Sequence, residues 1–362
     1  MDQPEAQRRA IFPRQDPWDT APDSTMHRPF GHYAAIPARP PPFIPSDVDM
    51  TNEVQGKARA AEDWMRQSIV PSLPAVGPAF YGRDSKPENY YLVLITSCLI
   101  ILGMMADSRV LDSPNKRFLI QFMLIFSFVL FNANLDIVLR IDFIDFFLNN
   151  NVFRIFFVTF CLMILINGYN FIDGTNLLTS LNLLIVSYFL YSLIKISPDF
   201  ILYNEMKILI FALIVFTIFN SLGKNFLGDG GTYGISFFLG ISSILIARSN
   251  PSISPYFIAN IFWYPAFENL FTILRRSFNR KKSFKPDNYH LHQLIFLNLR
   301  LKSKLIRSSM TGAILNLYLF IILVLCFKNY SDTDYQLFFL FTNSLIYLIL
   351  YYVLSKKIIK AI

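Results

Sequence analysis

Charge, cysteine and histidine are scarce in this 362-residue chain. Only 16% of its residues are charged, against about 25% in a soluble domain, so an ordinary soluble enzyme is a poor description. Three cysteines exclude a disulfide-built scaffold. No Ser-His-Asp, Walker or GxGxxG pattern occurs, so neither triad chemistry nor a phosphate-binding Gly-rich loop of those kinds is signalled. The first residues, Met1–Arg14, lack the apolar core of a signal peptide. Over half of the sequence, 53%, is hydrophobic, and the mean hydropathy is +0.40, which excludes a chain disordered throughout.

That hydrophobicity is unevenly spread. Residues 1–88 hold 14 of the 20 prolines, among them Pro40, Pro41 and Pro42, and no apolar run long enough to span a bilayer. Proline fixes φ and removes a donor, so 1–88 is expected to be mostly disordered, with one short helix near Asn52–Ser68. From residue 89 to 362, apolar stretches long enough to cross ~30 Å of hydrocarbon recur at short intervals. They fall at about 90–106, 118–135, 152–168, 175–196, 206–222, 231–248, 254–274, 309–327 and 335–354. Most have no polar face, unlike soluble helices, and they are too long for barrel strands. The expectation is an all-α polytopic membrane protein of about nine transmembrane helices.

Numbering those nine in order, the loops after odd spans are basic. They carry Arg109, Lys116 and Arg117, then Lys224, then ten Lys/Arg between Arg275 and Arg307, and finally Lys356, Lys357 and Lys360. The loops after even spans hold acids and few bases: Asp136, Asp142 and Asp145 with Arg140, then Asp199 and Glu205, then Asp332 and Asp334 with Lys328. Lysine and arginine mark the cytoplasmic side, so odd spans run inward and the C-terminus is cytoplasmic. The ten-base block serves topology alone or also a face that handles anionic substrates.

Four inward loops combine carboxylates, glycine or histidine. The first runs from Gly103 through Asp107-Ser108-Arg109 to Lys116-Arg117, and the second is Asn167-Gly-Tyr-Asn170-Phe-Ile-Asp173-Gly174-Thr-Asn176. The third is Lys224-Asn-Phe-Leu-Gly228-Asp229-Gly230-Gly231-Thr-Tyr233, and the fourth holds His290 and His292. Each has a plain reading: Asp107 as a cap, Asp173-Gly174 as a turn, the glycines as a flexible hairpin, the histidines as ordinary loop residues. Taken jointly, three carboxylates on one face suit a hard divalent cation with oxygen ligands. Gly230 and Gly231 would let backbone N–H groups approach a phosphate. The histidine pair suits phosphate contact or acid–base work and fits zinc poorly. Cys98, Cys161 and Cys326 lie within spans and read as small buried hydrophobes.

Together the four loops resemble the polyprenyl-phosphate N-acetylhexosamine-1-phosphate transferases, over about residues 90–360. Asn167–Asn176 looks like that family's Asn-x-x-Asn-x-x-Asp-Gly element and Phe226–Tyr233 like its Phe-x-Gly-Asp-x-Gly element. Trp263–Leu270 followed by Arg275-Arg276 is similar to the O-antigen and enterobacterial common antigen branch, and His290–His292 to its His-rich loop. The resemblance implies transfer of a sugar 1-phosphate from a UDP-sugar to undecaprenyl phosphate, with release of UMP, at the cytoplasmic face of a bacterial inner membrane. The product would start a cell-envelope polysaccharide such as lipopolysaccharide O-antigen. It implies Mg²⁺ or Mn²⁺ on Asp229 and Asp107, catalytic roles for Asp107, Asp173, His290 and His292, and substrate contacts from Asn170, Asn176, Gly230, Gly231, Arg109 and Lys224. Partners would be the two substrates and the bilayer, with no nucleic acid, and homodimerisation stays open.

The sequence departs from that pattern in three places. Ser108 stands where a second aspartate is usual, Asn176 where many members have aspartate, and Pro-rich sequence occupies the place of the usual first two spans. The expectation is therefore a truncated or fused gene product. An inactive member of the family, or a transporter or flippase of lipid-linked anions, are the rival readings.

Overall fold

The computed structural model describes residues 87–132, 135–196, 202–278 and 290–361, with the side chains of 90–357 among them. The Pro-rich segment 1–86 and the helix expected at Asn52–Ser68 lie outside the described residues.

All regular structure among the described residues is helical: α1 (Pro87–Asp107), α2 (Pro114–Phe131), α3 (Asp142–Leu148), α4 (Asn151–Ile172), α5 (Leu178–Ile196), α6 (Tyr203–Ser221), α7 (Gly228–Ser249), α8 (Pro255–Ile261), α9 (Trp263–Phe278), α10 (Leu291–Asn298), α11 (Lys304–Lys328) and α12 (Thr333–Ala361). Several starts are written locally. Pro114 and Pro255 sit in the first turns of α2 and α8, where a missing N–H costs nothing. The Asn150 side chain accepts from Val152 and Phe153 N–H at 3.0 and 3.2 Å, capping α4. Ser254 caps α8 and Ser303 caps α11 in the same way.

Eight of these helices, α1, α2, α4, α5, α6, α7, α11 and α12, are long and apolar enough to cross a membrane. The chain reads as a multi-pass membrane protein. The polarity of its surface agrees: Phe211, Phe341, Leu317 and Val93 are exposed, while Thr159, Ser187, Ser236 and Ser242 are buried. Interior hydroxyls return to their own helix, as Thr159 does to the Ile155 carbonyl at 2.8 Å. Cys326 is buried as expected, but Cys161 is exposed on the apolar surface and Cys98 is half-buried.

The expected span 254–274 is corrected. It is broken into α8 and α9 at Phe262. Pro265 lacks the N–H that would close the turn onto the Ile261 carbonyl, so the helix cannot run straight through. α9 also has a polar stripe, Glu268, Asn269, Thr272 and Arg276, facing inward, while Leu270, Ile273 and Leu274 face out. The α8–α9 pair nevertheless runs between opposite ends of the bundle. Ser254 N–H donates to the Tyr330 carbonyl at one end, and Glu268 of α9 meets His290, whose neighbour His292 lies beside Gly174, at the other.

α4 is central and packs against α2, α7 and α9. Its approach to α9 needs Gly168, where a Cβ would lie 2.2 Å from the Pro265 carbonyl oxygen. Asn269 ties the same pair by donating to the Ile164 carbonyl at 2.8 Å. The core runs from Tyr169 and Leu165 through Val186, Leu190 and Leu239 to Phe257 and Tyr264.

Candidate active site

α7 begins without a capping side chain of its own, since Leu227 occupies its N-cap. Its first N–H groups are filled from elsewhere in the chain. Asp173, which ends α4, accepts from Gly228 N–H at 3.0 Å. Asp107, which ends α1, accepts from Asp229 N–H at 3.1 Å and Gly230 N–H at 3.3 Å. Two carboxylates at a helix N-terminus match the positive end of its dipole. Asp107 does not cap the segment that follows it, as its plain reading had it; it caps a helix whose Asp229 lies 122 positions away.

Glycine is required for this approach at Gly228. Its φ is +70°, and a Cβ there would lie 2.6 Å from an Asp107 carboxylate oxygen. Gly103 and Gly230 let α1 and α7 meet closely, since a Cβ on Gly103 would lie 2.3 Å from Gly230 N. The glycines here bring a built-in anion to the N–H groups of residues 228–230. The N–H groups expected to meet a phosphate through Gly230 are thus already engaged by the chain's own carboxylates, and a Cβ on Gly231 would meet the Leu227 side chain.

The third carboxylate, Asp229, is held by three side chains. Asn170 donates to its Oδ1 at 2.7 Å, and the Tyr233 hydroxyl and Arg117 Nη1 donate to Oδ2 at 3.0 and 2.6 Å. Arg117 comes from the first turn of α2 and forms an ion pair with Asp229. Around it, Asn170 also donates to the Tyr233 hydroxyl at 3.1 Å. Asp107, Asp173, Asp229 and Asn170, expected to act together, are therefore gathered at one place.

Burial pushes the Asp173 carboxyl up to about 7, and the neighbouring Asp229 and Asp107 charges push the same way against the Gly228 N–H bond. Such a group exchanges its proton near neutrality.

Beside this cluster lies the histidine pair. His290 and His292 stack with centroids 5.6 Å apart, and the His292 ring reaches the backbone at Gly174, where a Cβ would lie 3.3 Å from its Nε2. His292 is fully buried, and among the described residues neither ring nitrogen has a hydrogen-bond partner. Burial holds its pKa well below the usual histidine value, with His290 adding to the effect, so the ring is neutral. His290 faces Glu268, with Nδ1 3.0 Å from Oε1, while Leu291 N–H donates to Oε2 at 3.3 Å. Glu268 is itself fully buried. Facing that acceptor, Nδ1 is the nitrogen placed to donate, and Nε2 is the ring nitrogen turned away from the carboxylate.

The remaining expected contacts are more dispersed. Asn176 is buried near Gly223, and its backbone N–H donates to Ser308 Oγ at 2.9 Å. Lys224 is exposed on the adjoining loop. Arg109 is exposed next to Asp107 and has a left-handed backbone, φ 59°. Ser108 turns its hydroxyl back to the Met104 and Met105 carbonyls at 2.8 and 3.3 Å and adds nothing to the cluster.

An all-oxygen set of Asp107 and Asp229 suits a hard divalent cation in kind. Among the described residues, however, no group of three or more His, Cys, Asp or Glu side chains is arranged to hold a metal ion. The positive charge at Asp229 is supplied here by Arg117. Sequence reasoning missed the parts played by Arg117 and Glu268. Arg117 counts in the sequence as a cytoplasmic-side base at the end of the first loop, with no site role of its own, although an arginine one turn into a helix beside an acidic loop is visible there. Glu268 was visible as a lone acid in an apolar run.

An acidic cluster at one end of a bundle of apolar helices, with a basic side chain and two imidazoles around it, defines a multi-pass membrane protein with a polar site at one surface. The family model described as Glycosyl transferase family 4 matches residues 89–247. Over that stretch, which spans Asp107, Asp173 and Asp229, the chain is similar to that transferase family. The match ends within α7, so His290, His292 and α11 lie beyond it. No curated protein matches the chain.

Proposed function

We propose that the protein transfers a sugar 1-phosphate from a UDP-sugar to undecaprenyl phosphate at the cytoplasmic face of a bacterial inner membrane. The sugar is an N-acetylhexosamine or a deoxy derivative, and the lipid product starts a cell-envelope polysaccharide. The observation that carries this reading is the convergence of Asp107, Asp173 and Asp229 on the start of α7, three acids that are far apart in sequence.

The chemistry asks little covalent work of the protein. An oxygen of the lipid phosphate attacks the phosphorus that bears the sugar. A new P–O bond forms, the bond to the UMP oxygen breaks, and UMP leaves. The nucleophile is already ionised at neutral pH, so no strong base is needed. What must be supplied is alignment and compensation of negative charge. Asp229 and Asp107 would hold Mg²⁺ or Mn²⁺, which offsets charge on the diphosphate when bound. Arg117, now on Asp229, would turn toward a phosphate when that carboxylate is otherwise engaged. Asn170 holds Asp229 in place, and Arg109 and Lys224 add positive charge at the rim. His290 presents Nε2, while neutral His292 offers a ring nitrogen without a charge.

The test is incubation of purified membranes with undecaprenyl phosphate, Mg²⁺ and a panel of labelled nucleotide sugars, followed by lipid extraction. Label in the lipid phase with matching UMP release is expected for at least one UDP-sugar. No transfer from any of them, with the protein folded, overturns the reading. The rival of an inactive family member is favoured by Ser108, whose hydroxyl is spent on its own helix. Transfer that appears only in Ser108→Asp would decide for that rival.

A further inference from the structure

Leu177 occupies a backbone conformation that its side chain disfavours. It links α4 to α5, four residues after Asp173, with φ 65°. Side chains larger than those of glycine, asparagine or aspartate adopt this region only when the surroundings impose it.

Two asparagines impose it. Leu177 N–H donates to Asn220 Oδ1 of α6 at 2.7 Å. Its carbonyl accepts from Asn316 Nδ2 of α11 at 3.0 Å, and the same amide donates to the Leu178 and Gly312 carbonyls at 2.9 Å. Asn220 is steadied in turn by Ser180 Oγ at 3.1 Å and by donating to the Asn225 carbonyl at 2.8 Å. Both asparagines are buried. Ser308, Gly312 and Asn316 recur every four residues along one stripe of α11, and all three meet the 176–178 turn. Ser308 takes the Asn176 N–H, and Gly312 allows contact so close that a Cβ would lie 2.3 Å from the Asn176 carbonyl oxygen.

We propose that Asn316 is a positioning residue for the acidic site. Together with Asn220 it holds Leu177 left-handed, and this turn fixes the 173–176 segment so that Asp173 meets Gly228. A packing role alone does not account for the arrangement, since asparagines needed only for packing would not between them capture the N–H and the carbonyl of one strained residue. The inference makes α11, which lies beyond residues 89–247, an integral part of the site. Only the activity arm of its test rests on the transferase reading.

The decisive comparison is Asn316→Leu against Asn316→Leu with Leu177→Gly, in the full chain purified in detergent. Glycine takes a left-handed φ readily, so it relieves the need for the clamp. Asn316→Leu should speed hydrogen–deuterium exchange of the 174–178 amides by about tenfold or more, while the interiors of α5 and α11 stay protected. Leu177→Gly should restore most of that protection. Turnover should fall about tenfold with the KM for the nucleotide sugar little changed, and the glycine should recover part of the loss. Unchanged exchange at 174–178 overturns the proposal, as does loss of protection throughout α5 and α11 that the glycine does not reverse. Should Asn316→Leu fail to accumulate, Asn316→Ser with and without Leu177→Gly gives the same comparison. If exchange behaves as stated but the parent transfers no sugar phosphate, the transferase reading fails while the positioning of the turn stands.

Discussion

Replacing Glu268 by alanine perturbs the site without touching any of its three aspartates. The carboxylate is fully buried, faces His290 Nδ1 at 3.0 Å and accepts Leu291 N–H at 3.3 Å. Among the described residues it makes the shorter tie from α9 to the segment bearing both histidines, since Thr272 makes a contact of 3.4 Å to the same ring nitrogen. Hydrogen bonds to a charged group contribute about 1.5–3 kcal/mol each. Removing the carboxylate leaves two buried donors, His290 Nδ1 and Leu291 N–H, without their acceptor, at about 1–3 kcal/mol each. Glu268→Ala should therefore destabilise by about 2–6 kcal/mol. Glu268→Gln keeps one oxygen but turns an N–H₂ toward the second donor, and should cost about half of that. Thermal unfolding of the purified protein in detergent, followed by tryptophan fluorescence, reads the order parent, Gln, Ala. Exchange of the Leu291 amide should rise in the same order. If the alanine variant melts with the parent and Leu291 stays protected, Glu268 does not anchor the histidine segment and the reasoning fails.

Further expectations concern both ends of the bundle. Arg140, with a left-handed φ of 57°, donates to the Pro251, Ser252, Ile253 and Ser331 carbonyls and to Thr333 Oγ1 at 2.9–3.2 Å. Since it is exposed, Arg140→Ala should cost only about 1–2 kcal/mol in the same melting assay, and Arg140→Lys should not recover it, because an ammonium lacks the guanidinium's spread of donors. An unchanged melt would contradict this. Asp173 is raised in the fold from 3.8 to about 7, so between those values the folded state holds the extra proton. Its contribution to stability is present at low pH and is lost as pH rises through about 7. Asp173→Asn should remove that decline in metal-free buffer, and identical pH profiles for parent and variant would refute the assignment. Under the proposed function, Asp229→Asn should abolish Mg²⁺-dependent UMP release while leaving expression intact, and persistent release would remove Asp229 from the metal.

The membrane-crossing helices were legible because apolar length is a one-dimensional property. The break at Phe262 was not, since averaging over residues 254–274 hides Pro265 and the inward stripe of Glu268, Asn269, Thr272 and Arg276. That stripe repeats every three to four residues and could have been read as a polar helix face. The gathering of Asp107, Asn170, Asp173 and Asp229 was anticipated, whereas the mode was not: the carboxylates of Asp107 and Asp173 are spent on α7 backbone N–H groups. Arg117 on Asp229 and Asn316 on Leu177 depend on how distant helices pack, which no local pattern encodes. Asn316 did leave a trace, as a lone amide within an apolar span.

The central claim, that sequence-distant acids meet at one end of the bundle, is tested most directly by cross-linking. In full-length protein with Cys98, Cys161 and Cys326 changed to alanine, Asp107→Cys is paired with Asp229→Cys and treated in membranes with a short bifunctional thiol reagent. After proteolytic cleavage between the two positions, the account predicts fragments that stay joined, and none joined when Asp107→Cys is paired with Thr333→Cys at the far end. Separated fragments in the first pair, or joined fragments in the second, would contradict it.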